Sequence, residues 1–162
     1  ALPILLETGF LGCRLPPYFS NRIKRLVRAP KWYLADSGLM AFLTGLDPET
    51  ELSAHPLRGP LSETYLLQNL MSILGDHLPD ARLLHYRSHG GHEVDFVVET
   101  AGGSVAIEAK AGATVDARDV KGLQALLEGE PRCRVGLVAY QGRELRPLGP
   151  RLWAIPTGCL LA

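Results

Sequence analysis

The chain has 162 residues, of which 46% are hydrophobic and 21% charged, which is typical of an ordinary globular domain with a hydrophobic core. Seventeen Lys and Arg residues balance 17 Asp and Glu residues, so no global positive charge favours nucleic-acid binding, although a local basic patch is compatible with it. Three widely separated cysteines argue against a disulfide framework or a zinc finger and fit a reducing cytoplasm. Because the sequence has no apolar run of about 18 residues and no leader-like start, we expect a cytoplasmic protein without a membrane span.

The sequence pattern of residues 1–55 predicts a basic, helical and turn-rich segment. The sequence starts without a Met and inside an apolar stretch, which predicts a fragment of a longer polypeptide. The part LPPYFSNRIKRLVRAPKWYL mixes cations with aromatic residues, and no acid lies between Glu7 and Asp36. DSGLMAFLTG then predicts a short helix, with Asp36 or Ser37 as N-cap and Gly45 as its stop signal.

Residues 56–162 predict an α/β domain. PLSETYLLQNLMSILG has apolar residues at helical spacing, and RLLHYRS, EVDFVVE and SVAIEAK predict three consecutive strands joined by short turns. A second helix is predicted from Asp116 to Leu127, followed by strands at RVGLVAY and LWAIP. The predicted core is therefore a helix, a three-stranded antiparallel meander, a helix and a strand.

Two carboxylates interrupt the predicted hairpin of the second and third strands. If Glu99 pairs with Ser104 across the four-residue loop 100–103, counting back along both strands places Asp95 opposite Glu108. Directly opposite residues lie about 5 Å apart at Cβ, where like charges are destabilising. A divalent cation, Mg²⁺ or Mn²⁺, held between Asp95 and Glu108 would turn this repulsion into attraction, because hard cations take carboxylate oxygens as ligands.

Lys110 and Glu63 complete the candidate site. Lys110 follows Glu108 by two residues on the same strand face, where it would orient or deprotonate a water or stabilise charge on a phosphate oxygen. Glu63 starts the apolar stripe of the first helix and is aimed at the rim where the acids meet. Simpler alternatives exist: Glu63 complements the helix dipole, Lys110 forms a salt bridge with Glu108, and a bulge would move the register. Taken together, the four residues favour a metal site.

At these residues the sequence resembles a known superfamily. Asp95, followed thirteen residues later by Glu108-Ala109-Lys110 and preceded by a helical Glu63, resembles the PD-(D/E)xK nucleases, whose core has the same order of elements. More narrowly, the sequence resembles the uncharacterised C-terminal domain of prokaryotic AAA+-like ATPases, in residues 15–46 (LPPYFSNRIKRLVRAPKWYLADSGLMAFLTGL) and then in GPLSETYLLQNL, HYRSHGGHEVDFVVE and VAIEAKAG. The resemblance implies a restriction-endonuclease-like fold.

The resemblance also implies roles for these residues. Asp95 and Glu108 would bind Mg²⁺ or Mn²⁺, Lys110 would be the catalytic lysine, Glu63 the helical acid, and Gln124 a polar residue of the second helix that matches by position only. An ATPase module would precede this segment in the same polypeptide, and a homo-oligomer would form through it. The sequence itself has no G-x-x-x-x-G-K-[ST] phosphate loop, so we do not expect this chain alone to hydrolyse ATP.

Histidines and exposed cations give further candidates. His85, His89 and His92 surround the turn before the strand of Asp95, but a zinc site there lacks an evident fourth ligand, and solvated turn residues explain the pattern more simply. Arg87 is suited to contact a phosphate or to pair with Glu93. The basic run has two interpretations: contact with a phosphate backbone, or cations extending outward from a segment packed on the domain. Its candidate contacts are Arg22, Lys24 and Arg25.

Two functions are consistent with these residues. The first is Mg²⁺-dependent phosphodiester hydrolysis of DNA. The second is a catalytically silent module that binds nucleic acid or protein and regulates the ATPase. Retention of Glu63, Asp95, Glu108 and Lys110 favours the first, and the neutral net charge favours the second.

Overall fold

The computed structural model describes residues 2–19, 29–46 and 52–162. The predicted contacts Arg22, Lys24 and Arg25 lie outside the described residues. The N-terminal part contains a helix, an antiparallel pair of short strands and a second helix. These elements are α1 (Leu2–Thr8), β1 (Gly12–Leu15), β2 (Lys31–Leu34) and α2 (Ser37–Leu43).

The described part of the remaining chain is an α/β unit built on a mixed six-stranded sheet, in agreement with the predicted class. The strand order is β3-β4-β5-β6-β8-β7, in which β3, β4 and β5 form an antiparallel meander and β6 pairs in parallel with β5 and β8. The elements are α3 (Arg58–His77), β3 (Arg82–Arg87), β4 (Glu93–Thr100), β5 (Gly103–Lys110), α4 (Lys121–Gly129), β6 (Cys133–Tyr140), β7 (Arg146–Gly149), β8 (Leu152–Pro156) and α5 (Thr157–Leu160).

Two helices cover opposite faces of this sheet, because neighbouring strand residues point to opposite sides. Leu66, Leu67 and Leu70 of α3 pack with Phe96 and Ile107 on one face. On the other face α4 packs on Val97 and Ala106 through Leu123, Leu126 and Leu127. Each fully buried Leu contributes roughly 1.5–3 kcal/mol, so this three-layer core fixes the ends of β4 and β5, where the candidate site lies.

The predicted helices α2 and α3 are confirmed, with their expected signals. Asp36 caps α2 by accepting a hydrogen bond from the backbone N–H of Leu39 at 2.6 Å. Gly45 follows the helix in the left-handed region, at a φ of 72°, where glycine is favoured. The apolar spacing of α3 correctly located the helix that covers the sheet.

The predicted start of the second helix at Asp116 is wrong, because α4 begins five residues later at Lys121. Asp116 and Asp119 instead close a turn. The backbone N–H of Asp116 donates to Asp119 Oδ2 at 2.8 Å, and the backbone N–H of Arg118 donates to Asp116 Oδ1 at 2.8 Å. Side-chain acceptors thus compete with helical hydrogen bonds, as short acidic side chains often do.

The β1–β2 pair is bound to the α/β unit and shares its core. Leu15 and Tyr18 are each only 3% exposed. The segment after β1 bonds to the edge of β3: His85 donates its backbone N–H to the carbonyl of Pro16 at 2.9 Å and accepts one from Tyr18 at 2.6 Å. Tyr33 of β2 packs on Phe96 with ring centroids 6.0 Å apart. These contacts bring β2 to the end of the sheet where the acids lie.

Candidate functional site

A β-bulge reshapes β4 at Asp95. Leu84 pairs with Val97 and Tyr86 with Val94, so His85 alone lies opposite two residues, Asp95 and Phe96. Strict alternation along β4 would place Val94 on the same face as Phe96, but the bulge places Val94 on the α4 face together with Val97. Bulges next to functional sites commonly redirect one side chain, and here that side chain is Asp95.

The register of β4 and β5 agrees with the predicted pairing of Glu99 with Ser104 and continues to Phe96 with Ile107. Thr100 also pairs with Gly103, so the connecting loop has two residues and not the four predicted. Beyond Phe96 and Ile107 the ladder of backbone hydrogen bonds between β4 and β5 ends. The carboxylates of the two acids form hydrogen bonds to the backbone there instead.

The two acids bond to each other's strands. Asp95 Oδ2 accepts the backbone N–H of Ala109 at 3.0 Å. In return, the backbone N–H of Asp95 donates to the carboxylate of Glu108. The acids thus meet at the point where β4 and β5 part, and their oxygens replace backbone ladder bonds.

A lysine from the N-terminal part binds two acids of this site. Lys31 Nζ donates to Glu63 Oε2 at 2.8 Å and to Asp95 Oδ1 at 2.9 Å. The side chains of Lys31, Glu63 and Asp95 are 32%, 26% and 12% exposed, so these ion pairs are only partly screened by water. The site therefore joins three separate elements, β2, α3 and β4.

Alternation in β2 explains why Lys31 points inward. Tyr33, two residues on, packs in the apolar cluster beneath α3, so Lys31 faces the same way. The ammonium group of Lys31 lies 5.0 Å from the ring centroid of Tyr33, and the hydroxyl of Tyr33 donates to Glu63 Oε2 at 3.3 Å. The sequence reasoning missed Lys31. The signal was its phase with Tyr33, since an inward lysine requires an acidic partner.

Glu108 is held in an unusual electrostatic state. Burial is the largest cause that raises the pKa of Glu108 to about 8; the nearby charge of Asp95 contributes to the rise, and the bond from the Asp95 N–H opposes it. Glu108 Oε2 is buried and has no hydrogen-bond partner among the described residues. Glu108 is thus the acid of this cluster with the most unsatisfied bonding capacity.

Lys31 is held as a cation. Burial by itself would lower the pKa of Lys31, but the charge of Asp95 and the hydrogen bonds to Glu63, Tyr33 and Asp95 raise it overall. In contrast, burial raises the pKa of the Tyr33 hydroxyl group. Lys31 therefore supplies positive charge and cannot serve as a base near neutral pH.

Lys110 has a different partner from the predicted one. Its ammonium group is bonded to Asp119 Oδ1, in the turn before α4. Asp119 also accepts the backbone N–H of Asp116, which fixes its carboxylate. The alternative of a salt bridge to Glu108 is therefore replaced by a bond to Asp119, an acid that the sequence pattern had assigned to a helix.

The other predicted side chains lie outside the acid cluster. Gln124 is exposed on α4. Arg87 pairs with Glu93 at 3.0 Å, which is the alternative that its position left open. Of the turn histidines, His89 and His92 are exposed. His85 is only 8% exposed, and burial lowers its pKa.

Two cavities flank Lys31. One, of about 590 Å³, lies between β3, the β3–β4 turn and the segment preceding β2. The other, of about 270 Å³, lies between β2 and α3 and is also lined by Glu63. The flexible side chain of Lys31 therefore borders free space on two sides. The larger cavity is lined by Pro17, Phe19, Lys31, His85, Arg87 and Glu93, among others.

The donor set fits a hard divalent cation in its chemistry. Glu63, Asp95 and Glu108 supply carboxylate oxygens, and the buried Oε2 of Glu108 lacks a partner within the described ranges. With Lys31 in place the arrangement itself is not that of a metal site. No three Asp, Glu, His or Cys side chains in the described part of the chain come together as an ion requires.

Comparison with known proteins identifies two matching regions. A family model described as "Domain of unknown function (DUF4143)" matches residues 58–160, and one described as "Domain of unknown function (DUF8612)" matches residues 4–50. An uncharacterized protein of Mycobacterium bovis and one of Mycobacterium tuberculosis are each 29% identical to the chain over 148 residues, or 91% of it. That stretch covers 32% of either relative, so the chain spans about a third of their length.

No solved structure matches the chain. Within residues 2–19, 29–46 and 52–162, no helix is long and apolar enough to cross a membrane.

Proposed function

Because the chain belongs to the family described as Domain of unknown function (DUF4143), we propose a function on the basis of its site: metal-dependent phosphodiester hydrolysis of DNA. The observation that supports it is that Asp95 and Glu108 lie together where β4 and β5 part, with Glu63 joined to Asp95 through Lys31. Such a concentration of acids on a sheet costs stability unless a cation or a proton compensates it. We further propose that the chain forms a restriction-endonuclease-like domain, and that an AAA+-type ATPase module precedes it in the same polypeptide.

The acids and Lys110 would have different roles in the proposed reaction. Mg²⁺ or Mn²⁺, held by Asp95 and Glu108, would lower the pKa of a bound water and neutralise charge on the phosphate. Glu108 must lose its proton to act as a ligand, and its buried Oε2 is then the oxygen without a competing partner. Lys110, whose side chain is bonded to Asp119, lies two residues beyond Glu108, where it would stabilise the developing phosphate charge.

A cleavage assay tests this proposal. The purified chain is incubated with labelled single-stranded and double-stranded DNA in Mg²⁺, in Mn²⁺ and in a chelator. We expect metal-dependent cleavage that Asp95→Asn reduces to the level of the chelator control. Glu128→Gln is the matched variant, because Glu128 is an exposed acid on α4 that contacts none of the site acids. Equal cleavage by the wild type and Asp95→Asn would contradict the proposal.

One observation favours a second function, a silent module that binds nucleic acid or protein and regulates the ATPase. Both lysines of the site already have carboxylate partners: Lys31 binds Glu63 and Asp95, and Lys110 binds Asp119. Such a module would bind DNA equally well with and without Mg²⁺, and Asp95→Asn would leave that binding intact. Fluorescence anisotropy on the cleavage substrates distinguishes this result from the expected loss of activity.

A further inference from the structure

We propose that Lys31 is a built-in cation that closes the acid cluster, and that a divalent ion binds only when its side chain swings out. The inference rests on the proposed function, because it concerns regulation of the same site. It assigns the N-terminal part a direct role in the site, as the element that supplies the closing charge.

The first argument is occupancy. Lys31 Nζ lies 2.8 Å from Glu63 Oε2 and 2.9 Å from Asp95 Oδ1, so its ammonium group holds oxygens that an ion would need. Asp95 Oδ2 is already bonded to the backbone N–H of Ala109. A metal ion at Asp95 would therefore have to share Oδ1 with Lys31. Two cations on one oxygen repel strongly in a partly desolvated site, so the two states exclude each other.

The second argument is that the side chain has space to move into. The cavity of about 590 Å³ starts at Lys31 and is also lined by Glu93, whose carboxylate pairs with Arg87 near the surface. A lysine stem has four rotatable carbons, and rotamer changes at partly exposed positions are fast. Lys31 can thus exchange Asp95 for the mouth of this cavity without unpairing β2 from β1.

The backbone of β2 favours a swing of the side chain over a movement of the strand. Lys31 pairs with Leu15 of β1, which is buried, and Tyr33 is fixed against Phe96. These contacts hold the backbone at position 31 while the side chain of Lys31 remains about one-third exposed. The closing element is therefore one side chain on a rigid strand.

Calorimetric titration with Mn²⁺ tests the inference without any measurement of activity. Lys31→Met keeps the apolar stem and removes the charge, so we expect at least about tenfold tighter binding than in the wild type. Arg14→Met is the matched control, since Arg14 is a cation of the same strand pair whose partner is Glu7. It should leave the affinity unchanged. Asp95→Asn added to Lys31→Met should remove the binding and thereby locate the ion.

The outcomes separate the two proposals. Equal affinity in the wild type and Lys31→Met, with loss in Asp95→Asn, would overturn the closing role of Lys31 and leave the metal site standing. Absence of binding in every variant would overturn both the closing role and the metal-dependent function. Tighter binding in Lys31→Met that persists with Asp95→Asn would place the ion elsewhere and overturn both the inference and the metal site at Asp95.

A second measurement covers the case in which Lys31→Met does not fold. The sequence has four lysines, so ¹³C-methylated lysine side chains give few NMR signals, and that of Lys31 is assigned from Lys31→Arg. We expect Mg²⁺ to shift the Lys31 signal of the wild type and to leave that of Lys121, exposed on α4, unchanged. An unmoved Lys31 signal at saturating Mg²⁺ would contradict the swing.

Discussion

Two lysine–carboxylate pairs lie at the same end of the sheet and differ in how they are built. Lys110 on β5 bonds to Asp119 only nine residues away, in the turn before α4. Lys31 on β2 bonds to Glu63 and Asp95, which are 32 and 64 residues away. The first pair closes a local turn, whereas the second ties the N-terminal part to a helix and to the central strand.

The difference shows which of the two lysines compensates the negative charge of the site acids. Lys31 compensates acids that meet Glu108, whereas the partner of Lys110 belongs to a separate turn. Removing either lysine leaves a carboxylate without its partner, but removing Lys31 leaves several acids to repel one another. The two sites should therefore respond unequally to equivalent substitutions.

The largest effect is expected for Lys31→Met. Loss of the ammonium group leaves Glu63 and Asp95 unpaired beside Glu108, which should lower the free energy of unfolding by about 3 kcal/mol, the lower end for breaking a buried pair. Urea denaturation at pH 7 in a chelator measures this change. Mg²⁺ should restore part of the loss. A change smaller than that of Lys110→Met would reverse the comparison.

The second effect is a pH dependence due to Glu108. Its folded-state pKa of about 8 lies above the ordinary value of 4.5, so its contribution to stability is complete below pH 4.5 and is lost as the pH rises through 8. Between pH 6.5 and 8.5 the wild type should lose up to about 2 kcal/mol of unfolding free energy. Denaturation at both pH values checks this, and Glu108→Gln should abolish the difference. An unchanged slope in Glu108→Gln would assign the effect to another group.

The third effect concerns Lys110→Met. The bond to Asp119 links two partly buried side chains, and its loss should cost about 1 kcal/mol, with no rescue by Mg²⁺. The same denaturation experiment with Mg²⁺ and with chelator separates this response from that of Lys31→Met. Rescue of Lys110→Met by Mg²⁺ would indicate that Lys110, and not Lys31, faces the ion.

The smallest effect is expected for Arg87→Ala. The pair with Glu93 is exposed at the surface, so its loss should change the stability by less than about 0.5 kcal/mol. If Arg87 contacts a DNA phosphate, the slope of log affinity against log salt should fall by about 1. Anisotropy titrations at several salt concentrations measure the slope. An unchanged slope would limit Arg87 to its bond with Glu93.

Local patterns were sufficient to predict much of the fold. The alternation of EVDFVVE and SVAIEAK and the helical spacing of α3 located the elements that carry Glu63, Asp95 and Glu108. The predicted pairing of Glu99 with Ser104 is confirmed, but the backbone register ends at Phe96 and Ile107, so the predicted direct pairing of Asp95 with Glu108 is not part of it. These features depend on residues close in sequence or on a single hairpin, where periodicity and turn signals are strong.

The remaining features arise from contacts between segments distant in sequence. The bulge at Asp95 lies opposite His85, whose backbone bonds to the segment around Pro17, a contact that no pattern within β4 encodes. The role of Lys31 likewise requires knowing that β2 packs beside α3. Lys110 was favoured because it follows Glu108 by two residues on the same strand face, yet its carboxylate partner is in the following turn.

A crystal structure with Mn²⁺ tests the central claim most directly, because the anomalous signal of Mn²⁺ identifies the ion without reference to activity. Crystals of the chain grown with Mn²⁺ should show an anomalous peak within about 2.2 Å of oxygens of both Asp95 and Glu108. The ammonium group of Lys31 should then have left Asp95 Oδ1, to which it donates at 2.9 Å in the closed site. Lys31 still bonded to Glu63 and Asp95 at saturating Mn²⁺, with no peak between the acids, would contradict the account.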